Sequence, residues 1–418
     1  MLRLSRTRSD TFRRPFFSAP HARGGSCLLG MAIAALYCAP AQAVLSDTVH
    51  PFATVAYTYD DNLLRLPDNA PGFDGPRGDS YQSATAGLSF ERPIGQQILT
   101  GQTSVSRVTF DHYDSLNYNG KDALAALEWH VLKNFSGHVG GEYNQTLTPF
   151  NDYHSTELNL RVTRHEFVDG KWLFHPSWQV HAGYTRDRFT YDQQVESTND
   201  RTEDAIEAGL DYLLASGSRL GLLARRFTGS YDHFQEIDGI ALNDGYHQNE
   251  LKANIYWSVS GVTQVQILAG WAKREHDIDT ARDSSGATGR INATWTPLGR
   301  LKFTASAWHE FAAVESFIVK NSLNKGATVG AEWELTSKIK ATANLRHENR
   351  DFIKEIDLAL PGAAKDSSNS SSAGLSYTPL PYAQLGVNVF HEQRTGSVYV
   401  GTGSYTANGV SISATGQF

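Results

Sequence analysis

The sequence predicts an all-β chain that folds as a single transmembrane antiparallel β-barrel of about 18 strands. Three observations predict this fold: short segments in which apolar and polar residues alternate, connections that alternate between tight turns and long polar loops, and an amino-terminal export signal. After Val44 no stretch reaches the roughly 18 consecutive apolar residues of a membrane-spanning helix. The strands are therefore the elements expected to cross the membrane.

The last segment shows the alternation most simply, because every second residue from 410 onward is apolar or small: Val410, Ile412, Ala414, Gly416 and Phe418. Successive side chains of a strand point to opposite faces, so the intervening Ser, Thr and Gln residues share the other face. Segments 250–259, 327–335 and 339–346 alternate in the same way. Their apolar faces mix Ala and Gly with Leu, Val and Trp, which suits contact with lipid. Aromatic residues stand near segment ends, as at a membrane interface: Trp129, Trp257, Trp295, Trp333 and Phe418.

The connections alternate between two lengths. Tight turns are predicted near residues 93–95, 133–134, 169–170, 216–218, 260–261, 297–299, 337 and 379–381. Long polar loops are predicted between them, for example at 66–79, 192–200, 235–245 and 352–370. Segments of ~12 residues, tilted by ~40°, span about 30 Å, which matches the hydrocarbon thickness of a bilayer. A barrel of this width has room for an aqueous lumen.

The amino terminus is predicted to be a signal peptide at residues 1–43. Six arginines precede or adjoin the apolar run 27–39, and Ala41-Gln42-Ala43 has the small-x-small pattern of a cleavage site. The mature barrel then covers residues 44–418. Arg13-Arg14 offers an alternative, twin-arginine export, which a barrel disfavours because it must cross the inner membrane unfolded.

Charge and cysteine content exclude several functions. The whole chain has a net charge of −7, and removal of residues 1–43 takes away six Arg and one Asp, which leaves −12. Nucleic acid is therefore not expected as a partner. Both cysteines, Cys27 and Cys38, lie in the predicted signal, so disulfides, thiol chemistry and a cysteine-built zinc site are excluded from the mature chain.

Neighbouring His and Glu residues are the main candidates for chemistry. Five such pairs occur near segment ends: 165–166, 275–276, 309–310, 347–348 and 391–392. Adjacent residues on a strand face opposite ways, so no pair is expected to present both side chains to the lumen. We expect no catalytic residue, metal or cofactor. An outer-membrane enzyme built from a Ser and a His on neighbouring strands stays open as an alternative, since such a site has no local spacing pattern.

The polar faces are expected to line the lumen. Charges of both signs lie on them, and the candidate lumen charges are Glu332, Glu334, Lys340, Arg346 and Lys302. A mixed lumen suits neutral or zwitterionic solutes better than a filter for ions of one sign. Four aromatic residues share this face by parity and are candidates for stacking on sugar rings: Tyr256, Trp308, Tyr382 and Phe390. The alternative is that these rings pack against an inserted loop or plug.

The segment Tyr59-Asp60-Asp61-Asn62-Leu63-Leu64-Arg65 closes the first predicted strand. It resembles the opening of the EpsL-type exopolysaccharide biosynthesis operon proteins, which are exosortase-associated outer-membrane barrels. The resemblance covers about 20 residues, and related barrel porins share a similar Tyr-Asp-Asn-Leu segment. In physical terms, the paired acids either bind a cation or cap a turn.

The resemblance implies a bacterial outer-membrane protein that serves as a passive conduit for an exported polysaccharide. Its expected partners are the exopolysaccharide chain, outer-membrane lipid and periplasmic export components. Phe418, which ends the alternating last segment, resembles the closing-strand signal recognised by the barrel-assembly machinery. A general or solute-selective diffusion porin is the alternative function, and an outer-membrane enzyme that modifies lipid or glycan is the second alternative.

Overall fold

The computed structural model describes residues 49–67, 75–151, 154–233, 236–237, 240–241, 245–278, 280–314, 321–352, 364–396 and 402–418. The predicted signal peptide, residues 1–43, lies outside the described residues, as does the predicted start of the mature chain. In the described ranges no helix is both long enough and apolar enough to cross a membrane.

Within these described ranges, eighteen antiparallel strands form one closed sheet, which confirms the predicted fold. They are β1 (Val49–Asp60), β2 (Asp79–Ile94), β3 (Gln97–Phe110), β4 (Tyr118–Val131), β5 (Phe135–Leu147), β6 (Leu160–His175), β7 (Trp178–Tyr191), β8 (Arg201–Leu213), β9 (Arg219–Tyr231), β10 (Tyr246–Ser260), β11 (Thr263–His276), β12 (Ser284–Leu298), β13 (Leu301–Ala313), β14 (Asn321–Glu334), β15 (Ile339–Phe352), β16 (Lys365–Leu380), β17 (Ala383–Thr395) and β18 (Tyr405–Gln417). Each strand pairs with its sequence neighbours, and β18 pairs with β1 from Phe52↔Gln417 to Asp60↔Gly409, so the sheet has no free edge.

Short helices and two-residue strands lie in the loops. Three single-turn 3₁₀ helices span Asp114–Leu116, Glu196–Asn199 and Thr280–Arg282, and the two-residue strands Glu236–Ile237 and Ile240–Ala241 form a ladder of their own. All of these lie at one end of the barrel, which we call the loop end. The tight turns, the start of β1 and the end of β18 lie at the other end, the turn end. In bacterial outer-membrane barrels short turns face the periplasm and long loops the exterior.

Side-chain parity separates two faces, as the sequence predicts. The outward face carries exposed apolar residues such as Leu251, which is 61% exposed. Because nothing in the barrel covers these side chains, they form the belt that contacts lipid. The large aromatic residues of this belt concentrate at the turn end, where Trp257, Trp295 and Trp333 are all exposed.

One predicted turn is wrong. Asp169-Gly170 was expected to form a hairpin turn, but both residues lie inside β6, and the chain turns at residues 176–177 instead. Asp169 faces inward and accepts a 3.0 Å hydrogen bond from Nδ1 of His138 on β5. Gly170 faces outward beside the ring of Trp129, which would lie 3.4 Å from an added Cβ. Packing between strands, and not turn formation, therefore accounts for this Asp-Gly pair.

Candidate functional site

The chain that follows β1 folds inward across the mouth at the loop end. We call residues 61–67 the inner loop. Its Leu63, Leu64 and Leu66 are buried, with Leu64 only 1% exposed. They form one apolar cluster with residues of β2 to β4 and the β3–β4 connection: Tyr81, Val108, Phe110, Tyr113, Leu116 and Tyr118.

Strand parity shows that this cluster lies on the lumen side. Tyr59 is exposed on the outward face, so its neighbour Thr58 faces inward, and Tyr81 is the register partner of Thr58. Phe110 is in turn the register partner of Tyr81. The inner loop therefore covers the inward face of β2 to β4 at the loop end.

Polar residues of the Tyr59–Arg65 segment hold this conformation. Asp60 Oδ1 accepts a 2.9 Å hydrogen bond from the Asn62 backbone N–H. Asn62 Nδ2 donates to the carbonyl oxygens of Leu66 (2.9 Å) and Thr406 (3.0 Å), and its Oδ1 accepts from Leu66 N–H at 2.9 Å. These bonds close the turn on itself and fasten it to β18. Of the two interpretations of the acidic pair, turn capping describes Asp60.

Asp61, the second acid of the pair, fastens the loop to β18 from the outside. Its Oδ1 accepts a 2.6 Å hydrogen bond from the Asn408 backbone N–H, and its Oδ2 accepts one of 2.8 Å from Asn408 Nδ2. Among the described residues there is no group of three His, Cys, Asp or Glu side chains placed to hold a metal ion. Each acid of this segment accepts hydrogen bonds from both a backbone N–H and a side chain.

Arg65 links the inner loop to two strands. Its Nη1 donates to Asp60 Oδ2 at 2.7 Å and to the Asn62 carbonyl at 2.6 Å, and its Nε donates to Glu392 Oε2 on β17 at 3.1 Å. Burial by itself lowers the pKa of Arg65, but the nearby carboxylates of Asp60 and Glu392 outweigh burial and raise that pKa above its usual range. The guanidinium therefore stays charged and keeps both partners.

A second loop, the connection between β5 and β6, reaches across the mouth. Nδ1 of His154 lies 2.8 Å from the Leu64 carbonyl oxygen, and Arg394 on β17 donates to the Asn151 carbonyl oxygen. On the barrel, β18 and β1 to β4 lie between β17 and β5. The Arg394 contact therefore spans a wide arc of the wall. Together the two loops narrow the entrance.

Below the mouth the lumen has two different walls. The inward faces of β18, β1, β2 and β3 carry small uncharged residues at mid-height: Ser411, Ser413, Thr54, Ala56, Ser83, Thr85, Gln102 and Ser104. The inward faces of β8 to β15 carry charged residues instead, in close pairs. Arg225 lies 2.6 Å from Glu207, Lys252 lies 2.9 Å from Glu250, and Arg290 lies 2.6 Å from Glu310. We call these the neutral wall and the charged wall.

The five predicted lumen charges all lie on the charged wall. Glu332 meets both Lys302, at 3.9 Å, and Lys340, and Glu334 is the register partner of Lys340. Arg346 lies nearer the loop end, where it pairs with Glu348. The structure thus brings four of the five together near the turn end. Sequence reasoning missed the Arg290–Glu310 pair, although the same parity rule places both residues on the inward face.

The four predicted sugar-stacking rings do not form one group. Trp308 faces inward but is 8% exposed, because the Arg346 guanidinium lies 4.6 Å and that of Arg290 5.4 Å from its ring centroid, and the ring lies over Gly326. Arginine side chains therefore occupy the surface that a sugar would need. This packing contradicts a stacking role for Trp308.

Phe390 fits the alternative of packing against an inserted loop, since the Arg65 guanidinium lies 5.9 Å from its ring centroid. Tyr382, which is predicted on the inward face as part of a strand, lies in the turn before β17 and is 52% exposed. Its stacking on sugar stays a prediction. Tyr256 does face inward on β10, close to the turn end. Its stacking on sugar stays a prediction.

The His-Glu neighbours face opposite ways, as predicted. His165 points inward and lies 2.6 Å from Asp187, whereas Glu166 is exposed on the outward face. At 309–310, 347–348 and 391–392 the histidine is outward and the glutamate inward, where the glutamates pair with arginines. These residues serve structural ion pairs in the described part of the lumen.

Comparison with known proteins agrees with a porin-like barrel. Residues 247–418, which include most of β10 and all of β11 to β18, match the family model described as "Putative beta-barrel porin 2". Among curated proteins, none is similar in sequence to this chain. The Tyr59–Arg65 segment lies outside the matched residues.

Three of the solved structures that are similar to this chain come from Pseudomonas aeruginosa and Acinetobacter baumannii. OpdK of Pseudomonas aeruginosa is 11% identical over 89% of this chain and 99% of its own, with a TM-score of 0.47. OccAB3 of Acinetobacter baumannii is 12% identical over 90% of this chain and 100% of its own, with a TM-score of 0.45. OccK2 (OpdF) of P. aeruginosa, solved in complex with glucuronate, is 11% identical over 89% and 98%, with a TM-score of 0.47. In the described residues the chain is a closed antiparallel β-barrel, and its carboxy-terminal part is similar to a family of barrel porins.

Proposed function

We propose that this barrel is a passive, solute-selective channel for small hydrophilic molecules that are neutral or zwitterionic. The observation that carries the proposal is the arrangement of the mouth. The inner loop covers the inward face of β2 to β4 at the loop end, and the β5–β6 loop contacts both the inner loop and Arg394 on β17. The passage that remains is bordered by the charged wall, so a solute meets polar groups over much of its path.

The pairing of charges gives the preference for neutral and zwitterionic solutes. Each of the close pairs Arg225–Glu207, Lys252–Glu250 and Arg290–Glu310 presents both signs within one solute length. A zwitterion can approach such a pair with complementary charges, and a sugar can exchange hydrogen bonds with it. An ion of a single sign is attracted by one partner and repelled by the other, so the wall favours neither cations nor anions.

A polysaccharide conduit is the second candidate. It is supported by the resemblance of the Tyr59–Arg65 segment to EpsL-type proteins, and this segment forms most of the inner loop. Export components in the periplasm and an exopolysaccharide chain would then be partners. A polymer would require displacement of the inner loop, whose three leucines are buried, and for that reason we place this candidate second. The match to a porin family does not favour the enzyme alternative.

Reconstitution into liposomes tests the proposal. The purified barrel should allow swelling in arabinose and glycine, with slower rates for disaccharides and trisaccharides, and it should pass zwitterions faster than equally large anions or cations. Failure to admit a monosaccharide would contradict a diffusion channel.

A gene deletion in the native host separates the two candidates. Reduced uptake of small solutes with unchanged surface polysaccharide supports the channel. Loss of surface polysaccharide with unchanged solute uptake supports the conduit and contradicts the channel.

A further inference from the structure

The outward face of β6 to β9 is charged near the loop end. The part of the same face that is nearer the turn end is apolar. Register and exposure place four arginines on this face: Arg164, Arg186, Arg188 and Arg226. On this outward face, the apolar residues Val168, Tyr184 and Ile206 come next toward the turn end. The arginines therefore lie directly above the belt that contacts lipid tails.

These arginines lie next to the apolar belt on its loop-end side, which is where the headgroups of a lipid leaflet meet a transmembrane barrel. On β13, β15 and β17 the outward residues toward the loop end include His309, His347 and His391. Arginines on adjacent strands are therefore a feature of the β6 to β9 side in this comparison.

A groove of about 370 Å³ lies among these side chains. Arg164, Arg186 and Arg188 line it together with Glu166, Asp204 and Thr202. Both Arg186 and Arg188 are about half exposed, at 49% and 48% of their side chains. The guanidinium groups are therefore accessible from the membrane side.

Three arginines and two acids, Glu166 and Asp204, line the groove, and the arginines differ in how they are paired. Arg186 forms two hydrogen bonds with Asp204, of 2.8 and 3.2 Å, and Arg188 lies 3.1 Å from Asp232. Among the residues that the structure describes, no carboxylate lies within ion-pair distance of Arg164 or of Arg226, which is on the neighbouring strand β9 with Ile206 as its register partner. Arg164 instead has the Tyr143 ring 5.9 Å from its guanidinium carbon.

We propose that this groove binds the phosphorylated headgroup of an outer-leaflet glycolipid. Guanidinium groups form paired, charge-assisted hydrogen bonds with phosphate oxygens. The acyl chains of the same lipid would then lie on Val168 and Ile206. The phosphate of the lipid would contact the arginines, and its acyl chains would contact the apolar residues next to them on the turn-end side. A free phosphate in solution would use only the upper half of this surface.

Native mass spectrometry of the detergent-purified full barrel tests the proposal. The probes are bis-phosphorylated lipid A and the same lipid with both phosphates removed. The unmodified protein should retain the phosphorylated lipid about tenfold more than the dephosphorylated one, which corresponds to about 1.4 kcal/mol. The double variant Arg164→Gln/Arg226→Gln should lose that preference.

Arg107→Gln is the matched control, because Arg107 is an outward arginine at the loop end of β3, far from the groove. This variant should bind the phosphorylated lipid as the unmodified protein does. Equal retention of the two lipids by the unmodified barrel would overturn the proposal. It would also be overturned if Arg107→Gln lost the preference for the phosphorylated lipid as fully as the double variant does. All variants should keep the heat-dependent gel shift of a folded barrel. Their liposome permeability should be unchanged, which separates this test from that of the channel.

Discussion

Arg65 shows at the scale of one residue how the mouth is built. Its backbone has a φ of +56°, in the left-handed region that costs a residue with a side chain about 1–3 kcal/mol. Hydrogen bonds to Asp60, Asn62 and Glu392 offset this cost. The strained backbone conformation of Arg65 allows its guanidinium to reach the carboxylates of both Asp60 and Glu392.

Replacement of Arg65 should loosen the inner loop. Arg65→Gln leaves the buried Asp60 without its cationic partner, and breaking such a pair costs about 3–5 kcal/mol. The expected result is a larger and noisier single-channel conductance in planar bilayers. Arg107→Gln, on the outward face, is the control and should leave the conductance unchanged. A conductance that Arg65→Gln does not alter would mean that the inner loop does not limit the passage.

A second residue-scale prediction concerns the ring of Trp308. A Cβ at Gly326 would overlap this ring, so Gly326→Ala should displace Trp308 and its two arginines at a cost of about 1–3 kcal/mol. We expect a lower midpoint of heat unfolding and a shifted tryptophan emission. Gly286→Ala is the matched control, because nothing lies within 4 Å of an added Cβ there. Equal effects of the two variants would contradict the close packing of Trp308.

At the scale of elements, the inner loop contributes to the larger of the two clusters of buried apolar residues found among the described residues, the other being Val314 with Phe352. Leu63, Leu64 and Leu66 do not follow the alternation of a strand, and they pack with the aromatic residues at the ends of β2 to β4. Burial of each leucine contributes about 1.5–3 kcal/mol. The loop thus has enough apolar contact to remain folded without a sheet of its own.

Truncation of Leu64 should open the mouth and leave the barrel intact. Leu64→Ala removes about 2–5 kcal/mol from the loop cluster, and larger sugars should then enter liposomes that contain the variant. Leu385→Ala, on the lipid-facing side of β17, is the control and should not alter sugar permeation. The heat-dependent gel shift should persist in both, because the sheet closes independently of the loop. Unchanged size exclusion in Leu64→Ala would contradict a gating position for this cluster.

At the scale of the whole molecule, closure depends on the pairing of the first and last strands. β1 and β18 pair from Phe52↔Gln417 to Asp60↔Gly409, and the Phe418 N–H donates to the Pro51 carbonyl oxygen at 2.8 Å. The Phe418 ring is 55% exposed on the outward side.

The role of Phe418 as an assembly signal stays a prediction, which a substitution tests. Phe418→Ser should reduce the amount of heat-shifting barrel in the outer membrane, with protein accumulating in the periplasm. Phe418→Tyr keeps the ring and should assemble as the unmodified chain does. Equal assembly of all three chains would show that this residue has no part in recognition.

The sequence by itself determined the class of fold and the two faces of each strand. Period-two alternation is a local property, so it placed Tyr256, Glu332 and Lys340 on the inward face and Leu251 on the lipid face before any strand was paired. The same alternation also predicted that each His and its neighbouring Glu lie on opposite faces of the sheet. Errors arose where a local pattern had two meanings: Asp169-Gly170 was assigned to a turn and lies in a strand, and Tyr382 was counted into a strand and lies in a turn.

Only the tertiary structure decided which inward side chains meet. Glu392 and Arg65 are far apart in the sequence, and closure between β18 and β1 brings them within 3.1 Å. The covering of Trp308 by arginines and the inward course of residues 61–67 likewise depend on the stagger of strands around the barrel. Parity fixes the side of the sheet on which a residue lies, but the height and the partner of that residue depend on long-range pairing, which no local pattern contains.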